Sequence, residues 1–277
     1  MPKIIIFTDF DGTLSGREGG KTVFGLFYQS LLSGYVPGVQ QDYRATPLKD
    51  SDAVQSLFET KFGPYKKDFN YDQPETDLLL SREAVEFLHN MLSNDDVSVQ
   101  IITKNRKDYI RALLTYQGFN PDELNKLGIF DSVRKDMAVQ GFLSKQTETL
   151  SAVYVLDDSL EDYNYMLRAV TSFGLADHQI QKYHKKSGCF EWSAYQQDIH
   201  RLLYPSLLAE GELEVATEKK EQPLSQQTPN AFEEDAEIIT KNKEKMPKPS
   251  FFNSINVPKG AEQNDADLGE IPNTPPL

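Results

Sequence analysis

KIIIFTDFDGTL, residues 3–14, sets an unbroken apolar run against a pair of acids. The run at 4–7 (IIIF) is continuous rather than alternating, which is the pattern of a strand covered on both faces. Asp9 and Asp11 follow at i and i+2, at the C-terminal end of that strand, where open α/β sheets bind ligands. Gly12 lets the chain turn sharply and brings backbone N–H groups near an anion. Two carboxylates this close are costly unless positive charge lies between them, and a divalent cation is the simplest remedy. The competing reading of the same letters is a surface turn, because Asp and Gly are common turn residues.

A second site in the chain weighs against the plain turn. The run at 152–156 (AVYVL) also ends in acids, Asp157-Asp158-Ser159-Leu160-Glu161-Asp162. An acidic helix N-terminus accounts for Ser159, Glu161 and Asp162, but it leaves the Asp157-Asp158 pair unexplained. Two buried strands that each end in paired carboxylates argue for one shared cation site. Two more runs, 97–102 (VSVQII) and the weaker 127–130 (LGIF), read as further buried strands. Thr103 follows the first of these, and a hydroxyl beside helix N-terminal amides suits a phosphate oxygen. A phosphoryl group would also need a cation between the Thr103 and Asp157 strands. Arg134, Lys135 and Lys145 are the candidates, with Lys135 best placed, between the short strand and a helical stretch.

Helical patterns separate the strands. Ser81 is placed to cap a helix carrying Ala84, Phe87, Leu88, Met91 and Leu92 on one face. Asn105, with Asp108 three residues on, is expected to cap Ile110, Leu113 and Leu114, with Gly118 as the stop. The alternation predicts an α/β domain with a Rossmann-like, doubly wound parallel sheet. Residues 15–80 break it. They hold the helical set Val54, Leu57, Phe58 and Phe62, and they far exceed the usual βα loop of about 2–6 residues. They read as an insertion over the strand ends. A last helix around Trp192, Tyr195, Ile199 and Leu202 closes the head before Pro205, and no internal repeat is present.

The 277 residues carry a net charge of −13, so a basic nucleic-acid footprint is absent. The single cysteine, Cys189, excludes an intramolecular disulfide and a cysteine-based zinc finger. The four histidines show no metal-ligand spacing. From Ala209 the chain is rich in Glu, Lys, Pro, Gln and Asn, and 3 of its 30 aromatic residues lie there. Such a segment cannot offset its ordering entropy, so the division expected is a folded head at 1–208 and a disordered tail at 209–277. The N-terminus lacks the features of a signal peptide and no run of about 20 apolar residues exists, so no transmembrane helix is expected and a cytoplasmic location is the default.

Together these motifs resemble the haloacid dehalogenase (HAD) superfamily of aspartate-nucleophile phosphotransferases, over roughly residues 3–175. The family's four motifs fall in order at 9–13, Thr103, Lys135 and 157–162. Two departures are visible: no proline adjoins Lys135, and Asp157 stands where glycine is more usual. The resemblance implies a cap, here at about 15–80, and a Mg²⁺ ion held by Asp9, the Asp11 carbonyl and Asp158, with Asp157 and Asp162 as further candidates. It implies that Asp9 is the nucleophile, that Asp11 is the acid and base, and that Thr103 and Lys135 bind phosphoryl oxygens. The presence of Asp11 points to phosphatase chemistry within the family.

Substrate choice in such enzymes lies in the cap and in the turn at 15–20. The insert, broken by glycines, is expected to leave the site open to a large substrate. Glu233-Glu234-Asp235-Ala236-Glu237 is similar to the Glu-rich block of type IV secretion signals. The combination is similar to HAD-type effector phosphatases of intracellular bacteria, some of which act on phosphotyrosine in host proteins. Two other expectations stand beside it: a phosphatase of small metabolites, and a HAD scaffold whose tail binds partners.

Overall fold

The computed structural model describes residues 3–205. The tail, its Glu-rich block and the boundary at 208 lie outside the described residues. Five strands form one all-parallel sheet: β1 (Lys3–Thr8), β2 (Val97–Thr103), β3 (Gly128–Asp131), β4 (Leu150–Asp157) and β5 (Ile180–His184). Their order is β3-β2-β1-β4-β5. The chain winds outward from β1 to β3 and then returns to the other side of β1. The switch therefore falls between β1 and its neighbours, where such sheets form their ligand crevice. Because β1 pairs directly with β4, the two acid-ended runs lie side by side.

The four apolar runs all become strands, within two residues of the expected bounds. They are apolar throughout because both faces are covered. Ile4 and Ile6 of β1 enter one core cluster with Val99, Ile101, Tyr154 and Leu156. Ile5 and Phe7 point the other way, into a second cluster with Val153, Val155 and Met166. β5 escaped the sequence reading. It is an edge strand with alternating burial and the mixed sequence IQKYH, so it needs no continuous apolar run.

Three helices precede β2 in the inserted stretch: α1 (Gly19–Val23), α2 (Leu26–Ser30) and α3 (Ser51–Phe62). Residues 15 and 80 are joined by an isolated antiparallel bridge. Arg17 secures the same junction. Its N–H donates to the Asp77 carbonyl at 2.9 Å, and its guanidinium reaches the Asp77 carboxylate and, at 3.3 Å, Glu75. Arg17 is thus a clasp for the insert. The insert is also less loose than its glycines imply. Phe27, Phe58 and Phe62 pack ring against ring, and Phe58 stacks on Tyr116 with centroids 5.2 Å apart.

The remaining helices are α4 (Arg82–Leu92), α5 (Lys107–Tyr116), α6 (Pro121–Lys126), α7 (Lys135–Leu143), α8 (Leu160–Ser172) and α9 (Trp192–Leu203). Ser81 caps α4 as expected, accepting from Ala84 N–H at 3.2 Å. At α5 the expectation fails. The capping position is Arg106, without a side-chain cap, because the Asn105 side chain is drawn inward to other partners. Gly118, at φ +90°, ends this helix.

Candidate active site

Asp9, Asp11, Thr103, Lys135, Asp158 and Asp162 line one cleft of about 640 Å³ at the C-terminal ends of the strands. Four separate stretches of sequence converge there. Asp9 N–H donates to the Leu156 carbonyl at 2.9 Å, which ties the first acid to β4. Asp158 N–H donates to Thr13 Oγ1 at 3.1 Å, which ties the second acid pair back to the turn after β1. Gly12 lies between them at φ +79°, and a Cβ there would meet Asp158 Oδ2 at 2.1 Å. Only glycine serves at this position, for conformation and for space.

Lys135 is the first residue of α7 and is 1 % exposed. Its Nζ lies 2.9 Å from Asp9 Oδ1, 2.7 Å from Asp157 Oδ2 and 3.5 Å from Asp162 Oδ2. Burial works against the ammonium, yet the charges of Asp9, Asp157 and Asp162 outweigh it and hold the Lys135 pKa above its ordinary value. The other two candidates lie elsewhere. Arg134 pairs with Asp136 at the surface, and Lys145 is exposed. Thr103 is buried, and its Oγ1 accepts from Asn105 N–H at 3.0 Å. Its own O–H is left free to donate toward the cleft.

The carboxylates outnumber their cations. Asp9, Asp11, Asp157, Asp158 and Asp162 meet Lys135 and Lys104, the latter 2.9 Å from Asp162. The imbalance registers in their protonation. Burial raises Asp9, with Lys135 opposing it. Burial, then the charge of Asp9, raises Asp11 to about 7 and Asp157 to about 8. Asp9, Asp157 and Asp158 each offer an oxygen within 4.8 Å of the others. This all-oxygen set of charged ligands suits a hard divalent cation such as Mg²⁺. Asp9 and Asp158 fit best, since Asp157 is engaged by Lys135 and by Ser159 N–H at 2.8 Å. Asp11 Oδ1 is buried without a hydrogen-bond partner.

Several residues of the site were not assigned to it by the sequence reading. Asn105 Nδ2 donates to Asp11 Oδ2 at 2.9 Å, and Tyr28 OH donates to Asn105 Oδ1 at 3.2 Å. Ser187 Oγ donates to Asp158 Oδ2 at 2.5 Å, and His184 Nε2 lies 3.1 Å from the Asp158 carbonyl. Gly188 N–H donates to the Gly12 carbonyl at 2.8 Å. All depend on long-range contacts, and the last three lie at the end of β5, the strand the sequence reading missed, or just after it.

No protein-family model matches the chain, and no curated protein does. Solved structures do. The chain is similar to the Legionella pneumophila effector Ceg4, at 51 % identity and a TM-score of 0.71, over 73 % of this chain and 95 % of that one. A second structure of Ceg4, bearing an N-terminal yeast Hog1p sequence, matches at 50 % identity, 73 % and 96 % coverage and a TM-score of 0.71. The HAD domain of the Legionella pneumophila effector Lem4 matches at 22 % identity and a TM-score of 0.53, over 71 % of this chain and 93 % of that one. The Lem4 likeness speaks to the fold, which is HAD-like. On the Ceg4 likeness, which spans nearly the whole of that chain, this protein belongs to the family of Ceg4.

Proposed function

We propose that the chain is a HAD-type phosphatase, a phosphomonoester hydrolase that works through an aspartyl-phosphate on Asp9. The observation that carries this is the pairing of Lys135 Nζ with Asp9 Oδ1 at 2.9 Å in a cleft that also presents Asp11. One oxygen of Asp9 attacks phosphorus, and the P–O bond to the leaving group breaks. Asp11, held near neutrality in its proton affinity, gives its proton to the leaving oxygen. It then takes a proton from the water that cleaves the aspartyl-phosphate, so one difficult displacement becomes two easier ones. Lys135 and the free hydroxyl of Thr103 hold phosphoryl oxygens as charge shifts onto them. Mg²⁺, held by Asp9, Asp158 and the Asp11 carbonyl, would supply charge neutralisation at the phosphoryl group. Asp157 and Asp162 hold Lys135 in place.

The substrate class we propose is phosphotyrosine in proteins rather than small phosphates. The insert, read here as the cap, contributes Glu18, Gly19 and Gly20 to one wall. Four and six residues on along the chain, Phe24 and Leu26 are 57 % and 71 % exposed and line a separate cavity with Gly38 and Val39. A phosphotyrosine ring reaches a recessed Asp9 without bringing its backbone against the insert, and exposed apolar side chains suit a polypeptide better than a sugar. The Ceg4 likeness supports an effector role, with delivery into a host cell. Turnover of a phosphotyrosine peptide, free phosphotyrosine, a phosphoserine peptide and a sugar phosphate, with and without Mg²⁺, tests the reading. The phosphotyrosine peptide should have the highest kcat/KM. A better sugar phosphate would hand the site to metabolism, and no turnover of any of them would leave a binding scaffold.

A further inference from the structure

A second cavity, of about 460 Å³, lies at the ends of β2 and β3, lined by Arg44, Arg106, Lys107, Asp108, Arg111 and Asp131. In a head that is acidic overall, this lining is basic. Arg106 is fully committed: it grips Asp108 through two nitrogens and also donates to the Tyr43 and Thr46 carbonyls. The other three cations are not paired with any carboxylate among the described residues. Arg44 donates to the Lys104 carbonyl and to Tyr43 OH, and Arg111 donates to the Leu124 carbonyl at 3.0 Å. Lys107 is exposed and makes no side-chain hydrogen bond. Against these three stands one uncommitted carboxylate, Asp131.

The cavity adjoins the catalytic cleft. Thr103 and Lys104 face the cleft, while Arg106 and Lys107, two and three residues on, face the cavity. Thr103 pairs in register with Asp131. Strands spaced about 4.8 Å apart put the end of β3 about 10 Å from the end of β1, where Asp9 stands. Residues i and i+2 of an extended peptide lie about 7 Å apart on the same side, and residues i and i+3 about 10 Å apart.

We propose that this cavity is a second anion subsite. It takes a phosphoryl or carboxylate group borne two or three residues from the scissile phosphate on the same peptide. The inference rests on the phosphopeptide reading above and adds a rule of sequence context to it. Arginine forks and a lysine ammonium suit a phosphoryl group best, because its several oxygens accept more than one charge-assisted bond. Arg44 comes from the insert and Lys107 and Arg111 from α5, so the subsite is built across the same seam as the catalytic cleft.

The test uses the full chain and a set of phosphotyrosine peptides. One has alanine flanks; the others carry a single phosphoserine or a single glutamate two or three residues to either side. The readout is the ratio of each kcat/KM to that of the alanine-flanked peptide. The ratio for the best-placed phosphoserine should be about tenfold, equal to two exposed charge contacts of about 0.7 kcal/mol each, and less for glutamate. The ratio should fall as salt rises to about 1 M, where screening acts within about 3 Å. It should approach one in a Lys107→Ala/Arg111→Ala variant and drop below one in Lys107→Glu. A wild-type ratio of one on peptides that are turned over, or an unchanged ratio in both variants, overturns the subsite while leaving the phosphatase reading intact. Turnover of a simple aryl phosphate but of no peptide would sink the phosphopeptide reading and the subsite with it.

Discussion

Asn105 donates its amide to Asp11 across 2.9 Å, and that amide is aimed by Tyr28 from the inserted segment. Arg106 N–H also donates to Asn105 Oδ1, at 2.7 Å. With two donors on its oxygen, the amide has only its NH₂ to turn toward Asp11. If Asp11 is the proton donor to the leaving group, misaiming it should matter most when the leaving group is a poor one. Asn105→Ala is expected to lower kcat about tenfold or more on phenyl phosphate, part of the 10²–10⁴-fold that positioned acid catalysis typically supplies. The loss on dinitrophenyl phosphate, which departs without a proton, should be several-fold smaller. Equal losses on both would mean that Asn105 serves the structure and not Asp11.

Asp9→Asn should remove turnover by a factor of at least about 10⁴, as loss of a nucleophile typically does. The fold should tolerate the change, because one carboxylate fewer relieves the crowding around Asp157 and Asp158. Thermal melting close to or above that of the wild type, with no measurable hydrolysis, is the expected pair of results. An active Asp9→Asn protein would end the nucleophile assignment.

Lys135 and Lys145 should separate cleanly. Lys135→Ala leaves three buried carboxylates without their shared cation, and breaking a buried pair of this kind costs about 3–5 kcal/mol. Both melting temperature and kcat should drop, and added Mg²⁺ should recover part of the stability. Lys145→Ala and Arg134→Ala should leave both near wild type. Loss of activity in either surface variant, with Lys135→Ala unaffected, would move the phosphate-binding cation.

Removing divalent metal with EDTA should abolish hydrolysis and lower the melting temperature, and Mg²⁺ should restore both by mass action on the folded state. Asp158→Asn should raise the Mg²⁺ concentration needed for half-activity far more than Asp162→Asn. Asp162 is tied to Lys104 and Lys135, whereas the Asp158 carboxylate accepts from Ser187 and pairs with no cation among the described residues. Full activity in EDTA would remove the metal from the reaction.

The sheet was legible because a strand buried on both faces must be apolar along its length, and the runs ending in Thr103, Asp157 and the 9–11 acids met that condition. The carboxylates were legible because nothing but charge chemistry explains paired acids at buried strand ends. Lys135 was legible only by position, since its sequence neighbours do not distinguish it from Arg134. What stayed hidden was polar and long-range. An edge strand such as β5 satisfies one neighbour and tolerates Gln, Lys and His. Asn105 looked like a helix cap because local pattern cannot weigh a hydrogen bond to a residue 94 positions away. Nothing in the sequence around Arg17 marks its partners, Asp77 and Glu75, which lie 60 and 58 positions away.

The bridge between residues 15 and 80 makes the intervening stretch a closed excursion, with its exit and return side by side. Antiparallel partners of this kind stand about 5 Å apart. A foreign segment with similarly spaced ends could therefore be spliced in without re-registering a strand, and related chains could trade this cassette as a unit. The trade has a condition. Phe58 stacks on Tyr116, and Tyr28 leans on Tyr109 with centroids 4.7 Å apart, both partners belonging to α5. A transplanted cassette should fold well only when the facing residues of α5 travel with it, so cassette and helix are expected to change together among relatives.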